Sequence, residues 1–248
     1  MPEPTLVFFD IETAPSLGWY FDLYKEGNIV DTEQPWFMLS FAWKRYGDKS
    51  VQCRALCDYP GYKPDKPDDS ALVKELWKIF DSADILIGHN VDRFDRKKTN
   101  SRFLGLNLPP PSPYKTIDTL KIAKANFAQD SNRLAALGKF LGLGGKLPTT
   151  GWDTWRGAIK GDPKSWSLMK RYNKRDVALL EQVYLKLRPW HKSHPDLRAY
   201  TGTTGCPACS SKRVQCRGFN VAKTQKTQRM QCQDCGHWYS GRIIRDEI

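Results

Sequence analysis

The chain opens on a short apolar run, Thr5 to Phe9, that gives way to Asp10, Ile11 and Glu12. The run predicts a buried strand. Side chains i and i+2 of a strand point to one face, so Asp10 and Glu12 stand side by side at its end. Residues 14–36, rich in Gly, Asp and aromatics, predict a loop with local turns. Phe37–Arg45 and Lys49–Leu56 read as two further strands around the turn Tyr46-Gly47-Asp48, giving an antiparallel three-strand unit with the first. Asp69 or Ser70 caps a helix over 71–82 that places Leu72, Leu76, Ile79 and Phe80 on one face. Ile85–Gly88 predicts a short buried strand, and a helix follows from Asp95 to about Leu104. Beyond the rigid connector Pro109–Pro113, Thr116–Asp118 ends another strand, and Asp118 and Thr119 open a helix to Phe127. A helix over 132–141 stops at the glycines of 142–145. Residues 149–161, with Trp152 and Trp155, predict a loop, and a long helix runs from Pro163 to Leu187 before Pro189. Strands first, then strand–helix alternation, predict an α/β sheet with helices packed on it.

Composition narrows the partners. The 248 residues suffice for one large domain, or a domain plus a small module. No stretch is apolar for long enough to cross a bilayer, and Met-Pro-Glu-Pro does not begin a signal peptide, so a cytoplasmic protein without a membrane partner is expected. A net charge of +12 calls for a polyanion, with nucleic acid foremost; a generically basic protein is the bland alternative. Basic residues are dense at Arg93, Arg96, Lys97, Lys98 and Arg102, and again after Lys212. The nine Trp, ten Tyr and eleven Phe add surface on which unpaired bases stack, although most belong in a core.

The acids carry the chemistry. Two carboxylates at the end of an apolar strand are costly unless a positive charge lies between them, and a hard divalent cation prefers such oxygen ligands. A second acid, Asp95, follows Ile87-Gly-His-Asn-Val-Asp-Arg-Phe, with Asp92 as an alternative in the same stretch. A third motif, Tyr172-Asn-Lys-Arg-Asp176, puts Tyr172 and Asp176 on one helix face. Read singly, these are a strand end, a helix-terminal acid and an ordinary helix surface. In this order, Asp-x-Glu, Asn-x-x-x-Phe-Asp and Tyr-x-x-x-Asp resemble the DEDD (DnaQ-like) exonuclease superfamily, over about Thr5 to Leu187. Arg171 stands where the histidine-bearing branch carries its histidine, which favours the tyrosine-bearing DEDDy branch. The resemblance implies a ribonuclease-H-like mixed sheet flanked by helices. It also implies two Mg²⁺ or Mn²⁺ ions held by Asp10, Glu12, Asp95 and Asp176, and attacking water oriented by Tyr172. Asn90 and the basic residues of 93–102 would meet the substrate, and Asp118 is expected to cap a helix.

The seven cysteines argue against a disulfide framework. Cys206-Pro-Ala-Cys209 and Cys232-Gln-Asp-Cys235 have the spacing of a zinc ribbon holding one structural Zn²⁺, with Cys216 and His237 as substitute ligands. Arg213–Arg217, Gln228–Gln231 and Trp238-Tyr239 predict its strands. Lys212, Arg213, Arg217, Arg229 and Trp238 suit nucleic acid. The expected layout is a nuclease domain over 1–190, a linker over 191–204 and a ribbon over 205–248. The function so read is 3′–5′ exonuclease, with single-stranded DNA favoured over RNA and a replication or repair protein as a possible partner. A structure-selective endonuclease and a non-catalytic adaptor are the alternatives.

Overall fold

The computed structural model describes residues 3–21, 29–144 and 151–245. Residues 22–28 and 145–150, parts of two expected loops and of the glycine stop, lie outside them. The first strand, β1 (Leu6–Thr13), runs on through both acids rather than ending before them. Between β1 and the second expected strand lies a correction: Leu17–Trp19 (β2) and Asp31–Gln34 (β3) pair antiparallel as a separate two-stranded ribbon. Both strands are largely exposed, so no apolar alternation marks them in the sequence.

The strands β4 (Met38–Arg45) and β5 (Gln52–Ala55) complete the antiparallel unit with β1 as expected. The chain continues through α1 (Ser70–Asp81), β6 (Ile85–Gly88), α2 (Asp95–Gly105), β7 (Lys115–Asp118), α3 (Thr119–Asn126) and α4 (Leu134–Phe140). Then come α5 (Trp152–Ile159), α6 (Pro163–Leu187), α7 (Arg198–Thr201) and the strands β8 (Val214–Val221), β9 (Gln225–Cys232) and β10 (Trp238–Arg245). Among the described residues no helix is long and apolar enough to cross a membrane.

The main sheet has the order β5-β4-β1-β6-β7, with β1, β6 and β7 parallel and the rest antiparallel. Alternation along β1 builds two core layers. Val7, Phe9 and Ile11 meet Leu72, Leu76 and Phe80 of α1 and Phe103 of α2. Leu6 and Phe8 turn the other way, toward Ile122 of α3, Leu137 of α4 and Val177, Leu180 and Tyr184 of α6. Two edge-on ring pairs anchor the layers, Phe9 with Phe80 at 4.9 Å and Phe8 with Tyr184 at 5.5 Å. Asp10 and Glu12 continue the Phe8 face and so point toward the α6 side.

The helix starts follow their caps. Asp162 accepts from Ser165 N at 2.8 Å ahead of Pro163, and Asp118 accepts from Leu120 N at 3.0 Å. Asp69 departs from its expected capping role. Buried, it accepts from Met38 N at 2.8 Å and pairs with Arg102, tying β4 to α2. The expected Trp152–Trp155 loop is helix α5, a second correction. It packs on α6 through buried Ala158, and a Cβ at Gly157 would lie 2.1 Å from Ser165 Oγ.

Residues 191–204 pack against the larger unit. His194 Nε2 meets Tyr184 OH at 2.8 Å, and Leu197 is buried in the α6-side core. Leu197 N donates to Pro207 O at 2.8 Å, and His237 Nδ1 faces Pro189 O at 3.2 Å, so the C-terminal sheet is tied back to the end of α6. That sheet has the order β10-β9-β8, with strands longer than the sequence pattern indicates.

Candidate active site and cysteine centre

The parallel strands β6 and β7 end together at Gly88 and Asp118, and in open α/β sheets ligand clefts form at such carboxyl ends. The last β1–β6 pair is Phe8 with Ile87, after which β6 stops at Gly88 while β1 runs on to Thr13. The Ile11 N–H on this extension of β1 beyond β6 donates to Asp95 Oδ1 at 3.3 Å. Asp95, the first residue of α2, is thereby brought onto the strand between Asp10 and Glu12. Burial pushes its carboxyl up to about 7 and the Asp118 carboxylate adds to this, while the Ile11 hydrogen bond opposes them.

The turn that delivers Asp95 is tight. A Cβ at Gly88 would lie 2.6 Å from Val91 Cβ. Asn90 is left-handed at φ 67°, a conformation that asparagine tolerates, and its N–H donates to Asp118 Oδ1 at 2.9 Å. Thr119 Oγ1 lies 2.9 Å from His89 Nδ1 and donates to Gly88 O at 3.1 Å. Asp118 is thus the helix cap the sequence predicts, and it also braces this turn. Asp92 takes a different direction. It accepts from Lys121 Nζ at 2.6 Å and Thr116 Oγ1 at 2.7 Å. Burial works against its charge, but those hydrogen bonds hold its carboxyl below the usual range. The structure therefore brings Asp95, not Asp92, to β1.

The third side of the site comes from α6. Buried Asn173 donates to Asp10 Oδ2 at 2.7 Å and to Asp10 O at 3.3 Å, and its Oδ1 accepts from Ser40 Oγ at 3.2 Å. Ser40 is the β4 partner of Glu12. Asp10 and Asp176 line one cleft of about 670 Å³, together with His89, Asn90, Lys124 and Arg133. Tyr172, one turn before Asp176, stands edge-on to Trp155 of α5 at 5.5 Å. Asn173, Lys124 and Arg133 were not singled out by sequence. For Asn173 a signal existed: it interrupts the apolar stripe Met169, Val177 and Leu180, where a buried polar residue needs a partner.

The basic residues divide. Arg93 and Lys97 are exposed. Arg102 is committed to Asp69, Arg96 lies 3.7 Å from Asp92, and Lys98 Nζ sits 3.9 Å from the Trp36 ring centre. At the C-terminal sheet Lys212 and Arg217 are exposed. Arg213 pairs with Asp234 at 2.5 Å, and Arg229 lies over Trp238 at 5.5 Å.

The four cysteines converge. Cys206 and Cys235 Sγ are 3.6 Å apart, as are Cys209 and Cys232, and all four sulfurs lie within 4.8 Å of one another. Among the described residues this is the one group of three or more His, Cys, Asp or Glu side chains placed to hold a metal as it stands. The acids instead accept from the protein, Asp10 from Asn173 and Asp95 from Ile11. Hydrogen bonding from Cys206 pulls the Cys209 thiol far down and pushes Cys206 up, the response expected when close thiols share protons. The donor chemistry differs between the two groups: thiolates suit zinc, and carboxylate oxygens are the kind of donor a hard cation prefers. Cys216 is exposed with its thiol toward Gly218 O, and His237 is turned to Pro189.

Asp95 gives a test in cation-free buffer. Its carboxyl moves from 3.8 to about 7 on folding, so between those values the folded state binds more protons than the unfolded. Wild-type stability therefore falls as pH rises from about 4 through about 7, at up to about 1.4 kcal/mol per unit of separation. Asp95→Asn removes that slope. Denaturant unfolding at pH 5 and pH 8 should show the difference between the proteins growing at the higher pH. Parallel curves would place Asp95 in water.

Comparison with known proteins places this geometry. Protein NEN3 of Arabidopsis thaliana is 36% identical over 62 residues, which is 24% of this chain and 12% of that protein. A family B DNA polymerase from the hyperthermophilic archaeon Pyrobaculum calidifontis has a similar fold, with a TM-score of 0.52 at 16% identity. The superposition covers 82% of this chain and 28% of the polymerase chain. The chain thus spans a minor part of either protein's length. The model of the family RNase_H_2, of the RNase_H superfamily, matches residues 7–188. Its span runs from the acidic strand β1 to the end of α6, through every element that frames the cleft, and the chain belongs to the RNase_H superfamily.

Proposed function

We propose that this protein is a metal-dependent nuclease that shortens nucleic acid from the 3′ end, of the DEDDy type. One observation carries the reading. Acids from separate elements approach one strand end: Asp95 of α2 through Ile11 N–H, between Asp10 and Glu12, and Asp176 of α6 across the cleft from Asp10. Asp10, Glu12, Asp95 and Asp176 would hold two Mg²⁺ or Mn²⁺ ions, and all four offer the oxygen donors such ions prefer. When bound, the ions supply Lewis acidity and offset the negative charge that builds on the phosphate.

The chain's own residues set the geometry. Asn173 fixes the Asp10 carboxylate, leaving rotation to neither partner, because its amide is itself anchored by Ser40. Tyr172, steadied by Trp155, is assigned to orienting the attacking water. Lys124 and Arg133 on the cleft wall meet phosphate charge. Among the described residues the cleft lining holds no cysteine or serine nucleophile, in keeping with direct hydrolysis. We assign residues 1–190 to this nuclease unit and 205–248 to a ribbon stapled by one Zn²⁺ on the four cysteines. Nucleic acid, with single-stranded DNA favoured over RNA, is the assigned partner; a replication or repair protein is a further one.

One single strand, labelled at its 5′ end in DNA and RNA versions, tests this with Mg²⁺ or Mn²⁺ added. A metal-dependent ladder shortening from the 3′ end is expected, longer for DNA. Internal cuts would replace the reading with an endonuclease, and a gel shift without cutting would replace it with an adaptor.

A further inference from the structure

We infer that the groove between the end of α6 and the C-terminal sheet is a stacking site for single-stranded nucleic acid, feeding the acidic cleft across α3. The inference rests on the nuclease reading for what the cleft does with the strand, but not for the binding itself.

The groove has a volume of about 450 Å³, and Trp190, Lys192, Asn220, Arg229, Trp238 and Tyr239 form its working surface. No carboxylate lines it among the described residues. Its indoles are unusually open: Trp190 is 55% exposed and Trp238 44%. Large apolar rings left in water around one groove point to a ligand with flat apolar faces. Each ring is also held in place. Phe127 packs edge-on to Trp190 at 5.1 Å, and the Arg229 guanidinium lies 5.5 Å from the Trp238 ring centre. Rigid aromatics interleaved with cations are what a base-and-phosphate polymer requires, since every base has a π-face and every linkage a charge. A purely apolar partner would leave Lys192 and Arg229 desolvated, and a bare polyanion would make no use of the indoles.

The groove also connects. Asn126, Trp190 and Lys192 are shared with a second hollow, lined in addition by Thr116, Lys121 and the carboxylates Asp92 and Asp118. That hollow lies against one face of α3, while Leu120 and Lys124 of the same helix line the acidic cleft. A single helix, about 10 Å across, therefore separates that hollow from the cleft. Lys192 and Lys124 are the cations at the two ends of this route, while Lys121 between them is paired with Asp92.

The test uses full-length, zinc-loaded protein carrying Asp10→Ala, so that strands stay intact, and fluorescence anisotropy with labelled twelve-nucleotide DNA and RNA strands. Adding Trp190→Ala should weaken binding about tenfold, the loss of one stacked base, while Trp190→Phe stays within about twofold. Lys192→Glu should lower the salt dependence of log K by about one counterion. Zinc content is measured for each variant, so that a lost ribbon is not read as a lost contact. Unchanged affinity in Trp190→Ala and Lys192→Glu would overturn the site, as would a parent that binds duplex as tightly as single strands, or binds neither sugar. Hydrolysis by the unmutated protein is scored on the same strands. Cutting with unchanged Trp190→Ala affinity removes the groove and keeps the nuclease. Weakened Trp190→Ala binding without cutting keeps the groove and removes the nuclease.

Discussion

Asp176→Ala should retain a folded protein and lose phosphodiester hydrolysis by three orders of magnitude or more. The fold should survive because α6 is held by Val177, Leu179, Leu180, Val183 and Tyr184, all buried and none in need of the carboxylate. On the proposed two-ion reading the chemistry should fail because an ion that loses a carboxylate ligand is no longer held where it offsets the charge on the phosphate, and each 1.36 kcal/mol lost from the transition state is a factor of ten. Asp10→Ala should behave likewise, with one addition: it strands the Asn173 amide, so a modest stability loss of about 1 kcal/mol accompanies it. Single-turnover cutting of a 5′-labelled strand, beside thermal melts of both variants, reads the two effects separately. Wild-type rates in either variant would take the acids out of the mechanism.

Stripping zinc should unfold the C-terminal sheet while the five-stranded sheet stays intact. Among the described residues the buried interior there is Cys206, Pro207, Ala208, Cys232 and His237, with Val214 and the remaining two cysteines packed around it. Most of β8 is exposed. An interior that small cannot offset the ordering of some forty residues, whereas structural zinc contributes about 10–16 kcal/mol in comparable peptides. Metal analysis should give one zinc per chain. A strong chelator should then abolish amide protection in β8, β9 and β10, leave β1, β4 and β6 protected, and expose the 205–245 stretch to protease. Cys232→Ser should mimic the chelator, and Cys216→Ser should not. A zinc-free sheet that keeps its protection would show that packing alone sustains it.

The elements legible in the sequence were those whose signal is local. The apolar run into Asp10 and Glu12, the face of α1 and each of the two cysteine knuckles declare themselves within a dozen residues. The paired β2 and β3 did not, because both are exposed and their partners lie apart along the chain. Helix α5 did not either: a stretch with Gly151 and Gly161 at its ends and Gly157 inside reads as a loop, and only packing on α6 makes it helical. At the site, the acids could be named from their order. Between Asp92 and Asp95 the motif order favours Asp95, and the fold adds what the sequence does not show, Lys121 and Thr116 holding Asp92 while Ile11 donates to Asp95. Asp69 shows the same limit. Its position before α1 announces a cap, but the fold spends its carboxylate on Met38 and Arg102.

Helix α6 is unbroken over 25 residues, with Asn173 and Asp176 at the cleft and Arg188 immediately after its end. At 1.5 Å per residue, the twelve steps from Asp176 to Arg188 set a fixed offset of about 18 Å between the cleft and the point where His237 meets Pro189. The helix fixes phase as well as length. One residue inserted between those points would swing the C-terminal sheet by about 100° about the helix axis, whereas seven would nearly restore its bearing and move it about 10 Å outward. The spacing between the two ends of the molecule is therefore a gauge written in helical turns, tolerant of length changes only in near-whole periods.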